Sequence, residues 1–150
     1  VWRSDYEGNA CVGHSAGGAP VETYLNYSPH AAYSLYTTAG DYAKFLLAVL
    51  DPKWWNDGIS QATIDLMTTP VVDAGKGIEW GMGWGLQKGE NPAFWHWGNG
   101  VIFTAFAIGE PRTRNGVVVL TNAATGLSLC KTVVYALWGG PQPSLVWVGV

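Results

Sequence analysis

The chain has 150 residues, of which 48% are hydrophobic, 13% aromatic and 13% charged, with a net charge of −3. That is the size of one domain with a core of its own, and it is too apolar and too sparsely charged to be disordered. No basic field is available for nucleic acid or an anionic membrane surface, so neither is expected as a partner.

No apolar run approaches the ~18 residues a membrane span requires. Twenty glycines and nine tryptophans are the unusual entries, and glycine at that frequency argues for tight turns and close backbone approaches rather than a helical bundle. The chain opens on Val1, Trp2 and Arg3 without an initiator methionine or an apolar leader, which reads as a piece of something longer. The two cysteines, Cys11 and Cys130, leave two readings open, one disulfide or two buried thiols.

Residues 1–37 are rich in Gly, Ser, Tyr and Pro and show no sustained period, which predicts loop with one short strand. A helix follows, capped by Thr38 with Asp41 three residues on. Tyr42, Phe45, Leu46, Val49 and Leu50 then repeat at the spacing of one helical face, and Asp51-Pro52 stops it. A shorter helix is predicted from a Ser60 cap through Ile64 and Met67, ending before Pro70. Residues 80–86 (WGMGWGL) alternate large and small side chains, which fits one strand with a closely covered glycine face. Residues 94–97 read as another short strand. The β-branched runs 101–108 and 117–121 read as an antiparallel hairpin whose connection ends in the turn pair Asn115-Gly116. A last helix spans about 126–138, with Cys130, Val133, Val134, Leu137 and Trp138 on its apolar face and Gly139-Gly140-Pro141 ending it. Two helices, three or four antiparallel strands and a closing helix make an α+β arrangement, an antiparallel sheet flanked by helices, with Val133 and Leu137 packed on the sheet.

Several short motifs suggest chemistry. Residues 13–17 (GHSAG) match the nucleophile elbow of serine hydrolases, but that elbow needs an apolar strand before it and a helix after it. Here the preceding residues are polar and the following ones lead through Pro20 into loop, so Ser15 is read as a turn residue. Ser128 and Lys131 match an S-x-x-K pair, in which lysine activates serine one helical turn away. They fall opposite the apolar face with Thr132 and Tyr135, which reads as the wet side of an amphipathic helix. Tyr24-Leu25-Asn26 matches a Y-x-N triplet within loop and is read as coincidence. Cys11 and His14 form one lone pair without a second pair at zinc spacing, so no metal is expected, and no phosphate-binding glycine loop implies a cofactor. His96 stands out by its setting, one polar side chain among Phe94, Trp95 and Trp97 beside a glycine-rich strand end.

Taken in order, residues 13–21 (GHSAGGAPV), 31–46 (AAYSLYTTAGDYAKFL), 80–86 (WGMGWGL), 94–98 (FWHWG) and 116–122 (GVVVLTN) resemble the C-terminal half of the serine β-lactamase and penicillin-binding-protein-like hydrolases. The closest branch is that of class C β-lactamases, D-Ala-D-Ala carboxypeptidases and esterases, and the resemblance covers about residues 11–138. It implies the C-terminal half of a β-lactamase/transpeptidase-like fold. It also places His96, Trp97 and Gly98 at that family's third active-site motif, K-T-G or H-x-G on a strand edge. A substrate lying antiparallel along such a strand meets Gly98 backbone to backbone, and the first residue holds a substrate carboxylate or joins the proton relay. Asn99 adds an amide at the same strand end, an inference from its place and not from the resemblance.

In this family the nucleophilic serine, its lysine and the Y-x-N tyrosine lie N-terminal to the matching segment, so they are expected upstream of residue 1. The expected function is the C-terminal part of a serine hydrolase that cleaves an amide or ester through an acyl-serine, without cofactor, with His96 catalytic and Trp97, Gly98 and Asn99 binding substrate. Alone the chain would be inactive. The alternative is a catalytically inactive, β-lactamase-like module that grips peptides or glycans through its tryptophans. The expected partners are a small-molecule or peptide substrate and the missing N-terminal half as a companion chain, or a second copy by self-association. The resemblance also implies an exported protein, periplasmic or extracellular.

Overall fold

Thr38 starts the first long helix in the way its chemistry dictates. In the computed structural model, which describes residues 1–22, 24–54 and 58–150, its hydroxyl oxygen accepts the Asp41 N–H at 3.1 Å and opens helix α1, Ala39–Leu50. The same hydroxyl donates to the Asp41 carboxylate, and Lys44 closes on that carboxylate at 2.7 Å. Asp51 ends the helix and pairs with Arg114 at 3.1 Å. A Thr38→Ala change removes the cap, and a loss of about 1 kcal/mol is expected in urea unfolding. Ser60 caps helix α2, Gln61–Thr68, by accepting the Thr63 N–H at 3.2 Å.

Before α1 the described residues form a short 3-10 turn, Ser4–Tyr6, and a two-strand hairpin, β1 (Gly13–His14) and β2 (Pro20–Val21), joined by loop. After α2 it runs as an antiparallel meander of six strands, each beside the next: β3 (Val72–Gly75), β4 (Ile78–Trp80), β5 (Gly85–Gln87), β6 (Ala93–Gly100), β7 (Phe103–Glu110) and β8 (Asn115–Thr121). Helices α3 (Gly126–Trp138) and α4 (Pro143–Val148) close the chain. The α+β class and the antiparallel pairing of the two β-branched runs hold, and the described residues form a sheet of six strands beside the β1–β2 hairpin rather than three or four strands in all.

Alternation along the strands sends successive side chains to opposite faces, and each face has its own core. Phe94 joins Leu46, Val49 and Leu50 of α1, Ile64 of α2 and Trp84. Its neighbour Trp95 joins Phe106, Ile108, Cys130 and Val134 of α3 and Leu145 of α4. Helix α1 lies close on β8 because Gly116 has no side chain: a Cβ there would sit 2.7 Å from the Leu46 side chain.

Three expectations are corrected. Residues 80–86 are two strands and a tight turn, not one strand. The chain reverses between Gly81, whose N–H donates to the Trp84 carbonyl at 2.8 Å, and Gly83 at φ +90, so the alternating glycines include turn positions. The hairpin of β7 and β8 turns at residues 111–114, with Arg114 at φ +57, while Asn115 and Gly116 already pair with Glu110 and Gly109 inside the sheet. On α3, Leu137 is 64% exposed and Val133 half-buried, and the buried line is Gly126, Cys130 and Val134. A Cβ at Gly126 would overlap the Thr104 and Thr121 hydroxyls, so this close approach sets the helix phase. Helix α4 is held by a buried polar lock that periodicity does not reveal: Gln87 accepts from the Ser144 hydroxyl at 2.7 Å and donates to Gln142 at 2.9 Å.

Candidate active site

Strand β6 outruns its neighbour. β5 begins only at Gly85, opposite Trp95, whereas β7 stays paired with β6 to Gly100. From His96 to Gly100 the strand therefore has a partner on one side and, among the described residues, no strand on the other. The turn at residues 81–84 is what cuts β5 short. His96, Trp97, Gly98 and Asn99 all lie on this free stretch, His96 and Asn99 exposed, Trp97 and Gly98 half-buried.

The backbone of Trp97 meets its neighbour's ring. Its N–H donates to His96 Nδ1 at 2.9 Å, and its carbonyl oxygen lies 2.8 Å from the same nitrogen. With Nδ1 engaged by backbone, Nε2 is the ring nitrogen left to meet another molecule. Trp80 and Trp84 stand edge-on to the imidazole at 5.5 and 6.3 Å and limit its swing. Beside it opens a hollow of about 120 Å³ lined by Tyr42, His96, Trp97, Gly98, Ala105 and Leu120, among others.

Tyr42, Trp80 and Trp84 are the residues that sequence reading did not assign to this place. Periodicity identified Tyr42 only as part of the apolar face of α1; burial pushes its phenol above the usual range, so the hydroxyl stays neutral and able to donate. Unlike Gly85, Gly109 and Gly116 of the same sheet, and like Gly100, Gly98 has room for a side chain. A Cβ there would meet only the Ala105 Cβ, at an ordinary 3.7 Å, so the fold alone does not demand glycine.

The two serine motifs lie elsewhere. Ser15 sits in the β1–β2 turn, its N–H donating to the Ala19 carbonyl at 2.9 Å, and neither strand nor helix forms an elbow around it. Ser128 is exposed on α3, and the Lys131 ammonium lies over the Tyr135 ring at 5.6 Å. Tyr135 itself packs against the core rather than lying wholly on the wet side. Among the described residues no serine hydroxyl is hydrogen-bonded to a lysine amine or a histidine ring. No three His, Cys, Asp or Glu side chains among them gather as metal ligands.

Both cysteines are free, Cys11 exposed and Cys130 buried, which corrects the two-buried-thiols reading as well as the disulfide. Burial pushes the Cys130 thiol up to about 11. At roughly pH 8 iodoacetamide is expected to modify Cys11 alone in the native protein and both cysteines after unfolding, as read by intact mass.

The α+β arrangement, a six-stranded antiparallel sheet with helices over both faces, agrees with a β-lactamase-like domain. A family model described as Beta-lactamase matches residues 2–132, and the chain belongs to that family. No curated protein matches the chain. Among the described residues no helix is long and apolar enough to cross a membrane.

Proposed function

We propose that the chain is the C-terminal part of an exported serine hydrolase of the class C β-lactamase, D-Ala-D-Ala carboxypeptidase and esterase branch. It cleaves an amide or ester through an acyl-serine whose serine and lysine come from polypeptide outside these 150 residues. The observation that carries this reading is the free edge of β6, where the H-x-G sequence coincides with the stretch of the strand that has, among the described residues, no second partner. An extended substrate adds to that edge as a further antiparallel strand. His96 Nε2 then faces a substrate carboxylate or the proton relay, Trp97 and Asn99 flank the chain, and Gly98 lets the two backbones meet. The absence of a serine–lysine or serine–histidine pair among the described residues supports a nucleophile from elsewhere.

Gly98 separates catalysis from folding. In the assembled hydrolase Gly98→Val is expected to lower kcat/KM for an ester or β-lactam by at least about tenfold, because a branched side chain holds the substrate off the edge. The melting temperature should stay near that of the unaltered protein, since the site has room for a Cβ. Unchanged kcat/KM in a folded Gly98→Val protein would remove the strand-edge reading. Peptide or glycan binding that needs Trp97 but gives no turnover in any assembly would favour the inactive module.

A further inference from the structure

His96 is exposed, and among the described residues its polar contacts are to the backbone of its own neighbour, Trp97. An exposed side chain held only from its own strand changes rotamer within nanoseconds. A reacting group has to be held to within about 0.5 Å, so something else must steady this ring. Trp80 and Trp84 do so, and each is anchored in a different core. Trp84 is buried in the cluster beneath α1 and α2, stacked on Phe45 at 6.0 Å and edge-on to Phe94 at 4.9 Å. Trp80 packs on the cluster beneath α3 and α4, tilted against Trp95 at 5.5 Å and edge-on to Trp147 of α4 at 6.1 Å. The turn between the two indoles is fixed as well, because a Cβ at Gly81 would run into the Met67 carbonyl at the end of α2.

We propose that Trp147 is a positioning residue for His96, acting through Trp80, so that α4 helps to aim the imidazole at substrate. Trp147 is itself well held. Its N–H donates to the Ala74 carbonyl of β3 at 3.2 Å, and its ring lies edge-on to Trp95 at 5.8 Å. The Ser144–Gln87 bond at 2.7 Å ties the same helix to β5. A continuous line of ring contacts therefore runs from α4, which lies beyond the residues 2–132 that match the family, to the imidazole. Trp80 is only half-buried, on a strand of three residues, with Trp95 bearing on it from the sheet and Trp147 from α4. Without the ring at 147 it gains room to turn, and His96 turns with it. The inference rests on the hydrolase reading only in taking His96 to act on substrate; the hold on the ring is a property of this chain.

Nuclear magnetic resonance of the assembled hydrolase with isotope-labelled histidine tests it, the His96 signals being assigned by their loss in His96→Gln. The indole ring currents are expected to displace the His96 ring protons. Trp80→Leu and Trp147→Leu should each move them toward the position of histidine in an unstructured peptide. Trp147→Phe, which keeps a ring beside Trp80, should restore most of the displacement. Turnover of an ester should follow the same order, kcat/KM falling about tenfold in Trp147→Leu and recovering in Trp147→Phe. Val134→Ala removes buried volume from the same core beneath α3 and controls for lost stability. It should leave both the ring protons and kcat/KM near those of the unaltered protein. Ring protons unmoved in Trp147→Leu overturn the proposal, and so does an equal movement in Val134→Ala. Should Trp147→Leu not fold, Trp147→Met, which fills more of the space without a ring, is judged by the same two criteria. Turnover unaffected by His96→Gln overturns the catalytic reading of His96, whereas turnover lost there with ring protons unmoved in Trp147→Leu overturns the positioning role alone.

Discussion

Replacing His96 by alanine is expected to reduce turnover of an ester or β-lactam by the assembled hydrolase by about a hundredfold, the effect of losing one contact worth about 2–4 kcal/mol in the transition state. The imidazole is exposed, and apart from the two tryptophan edges its polar contacts are to the backbone of Trp97. Its removal should therefore change stability by no more than about 0.5 kcal/mol. Two measurements on one variant, kcat/KM and urea unfolding, separate the roles. Catalysis lost with stability kept assigns His96 to the reaction, and stability lost with catalysis kept makes it a packing residue.

Trp95→Ala should do the opposite. The indole is fully buried, stacked on Phe106 at 5.9 Å and flanked by Trp80 and Trp147 at 5.5 and 5.8 Å. Removing it takes away the centre of the cluster beneath α3 and α4, and a loss of about 3–5 kcal/mol is expected. A small domain of ordinary stability keeps little in reserve after such a change, so cooperative unfolding should be greatly weakened or absent at room temperature. The two variants on one strand are thus expected to part, turnover failing at 96 and stability at 95, because alternation buries one side chain while the short β5 leaves the other at a free edge.

The parts of the fold legible in the sequence are those set by local chemistry. The Thr38 and Ser60 caps, the stop at Asp51-Pro52 and the β-branched runs of β7 and β8 each follow from contacts within a few residues. What escaped depends on partners far along the chain. Gln87 locks α4 through Ser144, 57 positions away, and nothing near Gln87 announces it. The phase of α3 is set by a glycine meeting two threonine hydroxyls, so a helical wheel that counts apolar residues turns the helix toward Leu137. At the site, His96 and Gly98 were legible as a motif. The free edge was not, since it arises where β5 stops, and the alternating WGMGWGL stretch disguises that stop as a continuous strand. Tyr42 was legible as a helix-face residue and becomes part of the hollow only when α1 settles over the sheet.

The most direct test of the central claim is active-site labelling with a fluorescent penicillin, followed by peptide mass spectrometry. Incubated alone, the chain is expected to carry no adduct. Joined to the polypeptide that supplies the serine–lysine pair, the assembly is expected to carry one acyl adduct on that serine, and His96→Ala should slow its formation. An adduct on Ser15 or Ser128 of the isolated chain would contradict the account, because each of those serines lies in a turn or on a solvent-facing helix surface and, among the described residues, has no activating base hydrogen-bonded to it.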